Sequence, residues 1–469
     1  MFFQNRFCPL VHVLAMLVGV GLVPIRALAW GPHTEIAQAA LDAIGSEDAL
    51  VRQLGPDAAR LAQYVWMADQ RQQLIVRADE VFYTDDFLLF PAAPQHFQHI
   101  CPEVEQTYSP YFRRALQALR TESPRNAARW IGSLLHFTTD TGSPPHAAGF
   151  LGPAHSKMEN WVGAKLIHIP GYQPQLLGND DVSAEAGFQR RMEGLIVYSK
   201  ERAQRCRPDV DADRRDAVEP VVLESALETA RVTADLLHTL GVLGCQKSAG
   251  STLMGKVLGP KINHPSLSRL PAKVVLLGTL FSTLTEADGS FAFHGLPAGE
   301  YRVVVHAPGR ATEPAVVKLT ADSSATLPPV NLAADATSNL VRNPTLTLRW
   351  ISPERFDDWS LRKPPGKLAA ATPMRDWEGE WIPLQKGVAY RLTARWKGDG
   401  SDVSGSQVFV RTKAKPDFNS LPAESAPVTL ETREIRVEGS PKAVWAQVCI
   451  RSAKSPDAVL ELVEFRELH

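Results

Sequence analysis

The apolar residues of this chain change their period near position 246, and that switch limits the folds open to it. Before it, the stretches ALDAIG, RLAQYVWMAD, RRALQAL, ARWIGSLLHF and LESALETARVTADLLHTLG repeat apolar side chains every three or four residues. That spacing gives a helix one buried stripe. Beyond it, KSAGSTLMG reads as a linker, and short alternating runs rich in Val, Thr, Gly and Pro follow. Alternation is the mark of half-buried strands. At 469 residues the chain is also too long for one core. The sequence therefore predicts a multidomain protein, all-α first and all-β afterwards.

The first 29 residues stand outside this pattern. MFFQNRFCPL is a weakly cationic start, VHVLAMLVGVGLV an apolar core, and Ala27-Leu28-Ala29 a small-x-small cleavage site. A signal peptide over 1–29, cut after Ala29, implies a secreted or periplasmic protein. No other stretch approaches a membrane-spanning helix. Cleavage would make Trp30 the first residue, with an α-amine of pKa about 7.7–8.0 that sheds its proton to a metal near neutral pH. The formal net charge of −1 gives no general attraction to a polyanion, so there is no strong nucleic-acid signal. Export permits disulfides. Among Cys101, Cys206, Cys245 and Cys449 the expected pair is Cys206 with Cys245, which flank the same helical segment.

In the second half, DGSFAFHGLPAGEYRVVVHAPG alternates through Phe291 and Phe293, turns at Leu296-Pro297-Ala298-Gly299, and resumes at Tyr301, Val303 and Val305. It resembles the carboxypeptidase-regulatory, transthyretin-like β-sandwich, over about 252–333. The region 338–469, with NLVRNPTLTLRW, GVAYRLTARWKGDG and AVWAQVCIRS, resembles a carbohydrate-binding or galactose-binding-like jelly roll. That resemblance implies a glycan or cell-surface partner. Trp350, Trp359, Trp377, Trp381, Trp396 and Trp445 are either platforms for sugar rings or core side chains. Core is the commoner use of a large aromatic in a sandwich.

The densest chemistry lies in HFTTDTGSPPHAAGFLGPAHSKMENW, residues 136–161. On a helix, residues four apart lie on one face, so His136 pairs with Asp140 and His155 with Glu159, while His146 stands between them. One such pair is usually a solvated surface pair, whereas two around a third histidine suit a zinc site. Upstream candidates are His33, three residues past the predicted terminus, Asp69 in WMADQR, and His96 and His99 in HFQH.

The order Trp30, His33, Asp69, His96, His136, Asp140, His146, His155, Glu159 resembles the zinc-dependent phospholipase C family, related in fold to the zinc single-strand nucleases. The strings YVWMAD, HFQHICPEVEQTY, LLHFTTDTGSPPHAAGF and HSKMENWV carry the likeness, over about 30–240. The resemblance implies an all-α zinc phospholipase C-like domain over 30–245 with three Zn2+ ions. One would take Asp69, His96, His136 and Asp140, and a second His146, His155 and Glu159. The third would take the Trp30 amine and carbonyl with His33, sharing Asp140. His96 fits the HF frame better than His99, which is left as an ordinary polar residue or a support for a ligand.

The implied reaction is water attack on phosphorus, assisted by zinc, at the glycerol-side bond of a phospholipid, with Asp69 also a candidate base. The HSKMEN string ending in Glu159, the short gap from His146 to His155 and the missing basic excess favour lipid. A single-strand nuclease, another phosphoesterase or a non-catalytic zinc-stabilised protein are the alternatives. Gln70 and Ala93 depart from the pattern of choline-binding members, so the head group stays open.

Overall fold

The computed structural model describes residues 31–468 apart from 67, 69–73, 78–79, 83–98, 247–249, 259–271, 280, 287, 308–309, 312–313, 332–338, 348, 350–355, 358, 363–374, 385–386, 398–404, 414–422, 430–431, 433 and 439–444. Helices run up to position 244, and strands dominate from position 251. No helix among the described residues is long and apolar enough to cross a membrane.

The helical half contains α1 (His33–Ile44), α2 (Ala49–Leu54), α3 (Leu61–Tyr64), α4 (Tyr108–Thr121), α5 (Pro124–Gly142), α6 (Pro144–Ala147), α7 (Pro153–Asn160), α8 (Asp181–Asp211) and α9 (Arg215–Gly244). A short antiparallel pair, β1 (Leu74–Arg77) with β2 (Glu80–Phe82), interrupts them, which the helical period did not foretell. The long helices α8 and α9 form an antiparallel hairpin, tied by Ser225 Oγ to Ser199 Oγ (2.7 Å) and by Arg191 to Glu228 and Asp235. Helix α5 is buried along almost its whole length. It touches α9 at Gly142, where a Cβ would lie 1.9 Å from Thr229 Oγ1, so this crossing admits only glycine.

The expected disulfide is not formed, and the four described cysteines are all thiols. Cys206 lies near the α8–α9 turn while Cys245 follows the far end of α9. At 1.5 Å per residue the two are roughly 35 Å apart along the hairpin, far beyond disulfide reach. Flanking one helical segment in sequence is therefore what separates them.

Next come β3 (Ser251–Leu258), β4 (Lys273–Leu276), β5 (Ser282–Leu284), β6 (Ser290–Leu296), β7 (Gly299–Ala307), β8 (Arg310–Ala311), β9 (Ala315–Leu319), β10 (Ser324–Thr326) and β11 (Val330–Asn331). Strands β6, β10 and β11 pair with β3, while β7 pairs with β4, β8 and β9, and β4 with β5. The strand–turn–strand read at 290–307 thus splits between two sheets. Phe291 and Phe293 from one, and Tyr301, Val303 and Val305 from the other, share the core between them.

Two further sheets follow. One has the order β12 (Ser360–Arg362), β13 (Arg375–Pro383), β18 (Trp445–Ser452), β15 (Gln407–Lys413), β16 (Ala423–Glu424). The other has the order β17 (Glu434–Glu438), β14 (Ala389–Trp396), β19 (Leu460–Leu468). Trp359 and Trp445 are wholly buried core residues, which removes them as sugar platforms. Trp377, Trp381 and Trp396 are half-buried, and Trp350 lies outside the described residues.

Candidate metal centre

Helix α5 supplies the first candidate pair. Ser123 accepts a hydrogen bond from the Asn126 amide and Pro124 occupies the first turn, so the helix starts where the sequence signals a start. Thirteen residues in, His136 and Asp140 lie one turn apart on one face. The chain stops at Ser143 and Pro144-Pro145 reopens it as α6, which carries His146. Gly152, at φ +71°, makes the left-handed turn into α7, where Pro153 opens the helix that carries His155 and Glu159. His33 begins α1, whose first turn is held by a hydrogen bond from Trp66 Nε1 to Thr34 Oγ1 (3.0 Å).

These elements bring two buried triads together: His33, His136 and Asp140, then His146, His155 and Glu159, each with ligand atoms within 4.8 Å of one another. In the first, His136 Nε2 lies 3.0 Å from Asp140 Oδ2 and His33 Nε2 lies 3.4 Å from Asp140 Oδ1. In the second, Glu159 Oε1 lies 2.8 Å from His146 Nε2 and 3.1 Å from His155 Nε2. Asp140 Oδ1 is also 3.7 Å from His146 Nδ1, so the triads adjoin. Ligand atoms around a tetrahedral zinc, each at 2.0–2.1 Å, stand about 3.3 Å apart. The observed spacings bracket that value.

The outward nitrogens are tied to backbone. Nδ1 of His136 donates to the Val65 carbonyl (2.8 Å), Nδ1 of His146 to that of His99 (2.7 Å), and Nδ1 of His155 to that of Phe150 (2.9 Å). Such a bond turns the Nε2 lone pair inward, as metal-binding imidazoles require. His33 Nδ1 lies 2.5 Å from Thr139 Oγ1, whose own proton is directed to the Leu135 and His136 carbonyls.

The donor set fits a cation. Asp140 Oδ1, His155 Nε2 and Glu159 Oε2 are buried with no hydrogen-bond partner among the described residues, a costly state for groups of this polarity. Burial alone would raise the Asp140 carboxyl, but the imidazoles of His136 and His146 hold it well below the usual carboxylate range. Burial would lower His146, yet the carboxylates of Asp140 and Glu159 push it up to about 9. The two carboxylates thus favour positive charge beside them, the place that a bound cation would take.

Of the residues singled out in the sequence, His33, His136, Asp140, His146, His155 and Glu159 meet here. Trp30, Asp69 and His96 lie outside the described residues, as do Gln70 and Ala93. One residue was undervalued. His99 Nδ1 stands 2.7 Å from Asp140 Oδ2 and 2.8 Å from His136 Nε2, inside the first triad, and so is no ordinary polar residue. The segment is strapped to α6 on both sides of Ile100, by the His99 carbonyl and by the Cys101 amide, which donates to the His146 carbonyl (3.1 Å). The only sequence signal was the HFQH spacing, and its HF frame favoured His96.

Residues 270–333 match the family model of the carboxypeptidase regulatory-like domain. A comparison with curated proteins finds no match. Among solved structures, similarity is found to alpha-toxin of Clostridium perfringens, at 12% identity and TM-score 0.35, over 62% of this chain and 93% of that one. A type II cohesin–X-dockerin complex from Acetivibrio cellulolyticus is similar at 22% identity and TM-score 0.15, over 18% of this chain and 56% of that one. Carbohydrate-binding modules of the β-sandwich superfamily are similar at 11% identity and TM-score 0.16, over 42% of this chain and 85% of theirs. At scores this low the likenesses carry neither fold nor activity over to the present chain. What the described residues show is a helical region with two groups of buried residues that could hold metal, followed by β-sheets, one segment of which matches the carboxypeptidase regulatory-like family model.

Proposed function

We propose that the helical half is a zinc-dependent phosphodiesterase of the phospholipase C type, cleaving the glycerol-side phosphodiester of a phospholipid. The observation that carries this reading is the inward-turned set of Nε2 atoms, fixed by backbone carbonyls and converging on two buried carboxylates. His146, His155 and Glu159 would hold one zinc. His136 and Asp140, with His99 or His96 and with Asp69, would hold another. The Trp30 amine and carbonyl with His33, sharing Asp140, would hold the third. Gly31 supports that role for the terminus, since a Cβ there would lie 3.5 Å from the Glu159 carbonyl oxygen.

Zinc, when bound, supplies Lewis acidity for the phosphoryl oxygens and brings the pKa of a water toward about 7. The chain's own residues hold and orient that chemistry. Asp140 adjoins both triads, and α5 sets its distance from His136. Asp69 is the candidate base.

The same reading includes a signal peptide before Trp30, a catalytic unit over 30–245, a β-sandwich over 252–333 and a jelly roll over 338–469 whose partner would be a glycan or a cell surface. The test is a zinc determination on purified protein, followed by a phospholipid panel and single-stranded DNA assayed side by side. Diacylglycerol release that stops on chelation supports the proposal. Nucleotide release without lipid turnover assigns the nuclease class instead, and full zinc without turnover assigns a structural role. A protein that retains Met before Trp30 is expected to lose one zinc, and an unchanged zinc content removes the amine from the ligand set.

A further inference from the structure

The β-sandwich segment meets the helical half at one buried polar joint. Arg114 of α4 is fully buried, lies over the Trp130 ring at 4.3 Å, pairs with Glu122 in the α4–α5 link (2.7 Å) and donates to the Ser282 carbonyl of β5 (2.7 Å). One residue along β5, Thr283 Oγ1 accepts from Asn126 Nδ2 in the first turn of α5 (2.6 Å). Leu284, the next residue, falls in the apolar cluster that joins the helical core with the last two sheets rather than in the core of its own sheets.

From this joint a continuous set of contacts leads toward the metal centre. Asn126 Oδ1 accepts from Arg129 (2.7 Å), and the Arg129 guanidinium lies 6.0 Å from the Tyr64 ring. Tyr64 packs so closely on α5 that a Cβ at Gly132 would fall 2.4 Å from its own. The next residue, Val65, offers the carbonyl that orients His136.

We propose that β5 braces the metal-binding helix: docking of the β-sandwich at the α4–α5 corner sets α5 and the Tyr64-Val65 backbone, and through them the inward aim of His136. Asn126, Thr283 and Arg129 are on this view positioning residues. The inference rests on the reading that the cluster holds zinc, and on the general point that coupling travels through packed, hydrogen-bonded elements.

The test uses the full chain with Thr283→Val, Asn126→Ala and the double variant, and Thr283→Ser as the conservative control. Zinc affinity is measured by competition with a chromophoric chelator, and amide hydrogen exchange along α5 is followed in metal-free protein. The Val and Ala variants are expected to bind zinc roughly 2- to 30-fold more weakly. Their α5 amides should exchange faster than those of α8, their effects should be non-additive, and Thr283→Ser should restore both readouts. Unchanged affinity with wild-type α5 protection overturns the brace, as does a uniform rise in exchange across all helices. If the wild-type protein binds no zinc, the metal reading fails, while the exchange comparison still decides whether β5 holds α5.

Discussion

Two polar clusters of this molecule, each built around buried charged residues, differ in how their charges balance. On the β13–β18–β15–β16 sheet, Arg411 reaches Asp376 (3.0 Å), Glu424 (3.0 Å) and Glu378, while Arg451 holds Asp376 from the other side (2.8 Å). Phe409 lies beneath both guanidiniums, at 5.3 Å and 4.6 Å. Every cation there faces a carboxylate. In the helical half, by contrast, five imidazoles crowd two carboxylates, and Asp140 Oδ1, His155 Nε2 and Glu159 Oε2 have no hydrogen-bond partner among the described residues. The first arrangement is complete as it stands, whereas the second keeps buried polar atoms that a cation could satisfy. Buried polarity alone therefore says little about function, and the residual imbalance says a good deal.

The largest expected effect breaks the comparison at its functional end. Stripping metal with a chelator, or the Asp140→Ala change, should reduce phosphodiester turnover to background, with zinc restoring only the chelated protein. Turnover that survives both would mean the unpaired cluster is not the active centre. Next comes Arg411→Ala. Leaving Asp376, Glu378 and Glu424 without their shared cation should cost roughly 3–5 kcal/mol in denaturant unfolding. Zinc content per folded chain should stay at the wild-type level, and a loss of zinc would show that the two clusters are coupled.

A smaller effect sharpens the helical cluster itself. His99→Ala is expected to weaken zinc binding by about 10- to 100-fold, read by chelator competition beside His96→Ala. Whichever histidine costs more is the ligand. The smallest effect sets a floor for both clusters. Arg113→Ala removes an exposed two-point pair with Glu185 (2.7 and 2.8 Å). It should cost about 0.2–1 kcal/mol, less at high salt; a larger loss in a salt titration of stability would show that exposure is a poor guide here.

Much of this was legible from residue spacing. His136 with Asp140 and His155 with Glu159 are helical neighbours, so four-residue spacing alone set each pair on one face. The switch from helix to strand near 246 was legible for the same reason, since amphipathic period is local. His99 was not legible, because what brings it to Asp140 is the strap of residues 99–101 against α6. The Cys206–Cys245 expectation failed because chain proximity around a helical hairpin says nothing about which end a residue occupies. Likewise, alternation identified β6 and β7 as strands, but could not tell that the turn between them crosses from one sheet to the other.

The sequence by itself determined the order of helical and strand regions and the His136–Asp140 and His155–Glu159 pairings on α5 and α7. Those are consequences of bond geometry within a few residues. Only the tertiary structure decided that His33, more than 100 residues before α5 ends, meets Asp140. It also decided which nitrogen of each imidazole turns inward and which cluster keeps buried polar atoms without a hydrogen-bond partner among the described residues. The physical reason is that those outcomes depend on backbone carbonyls of Val65, His99 and Phe150 arriving from separately packed segments, and local periodicity holds no information about such arrivals.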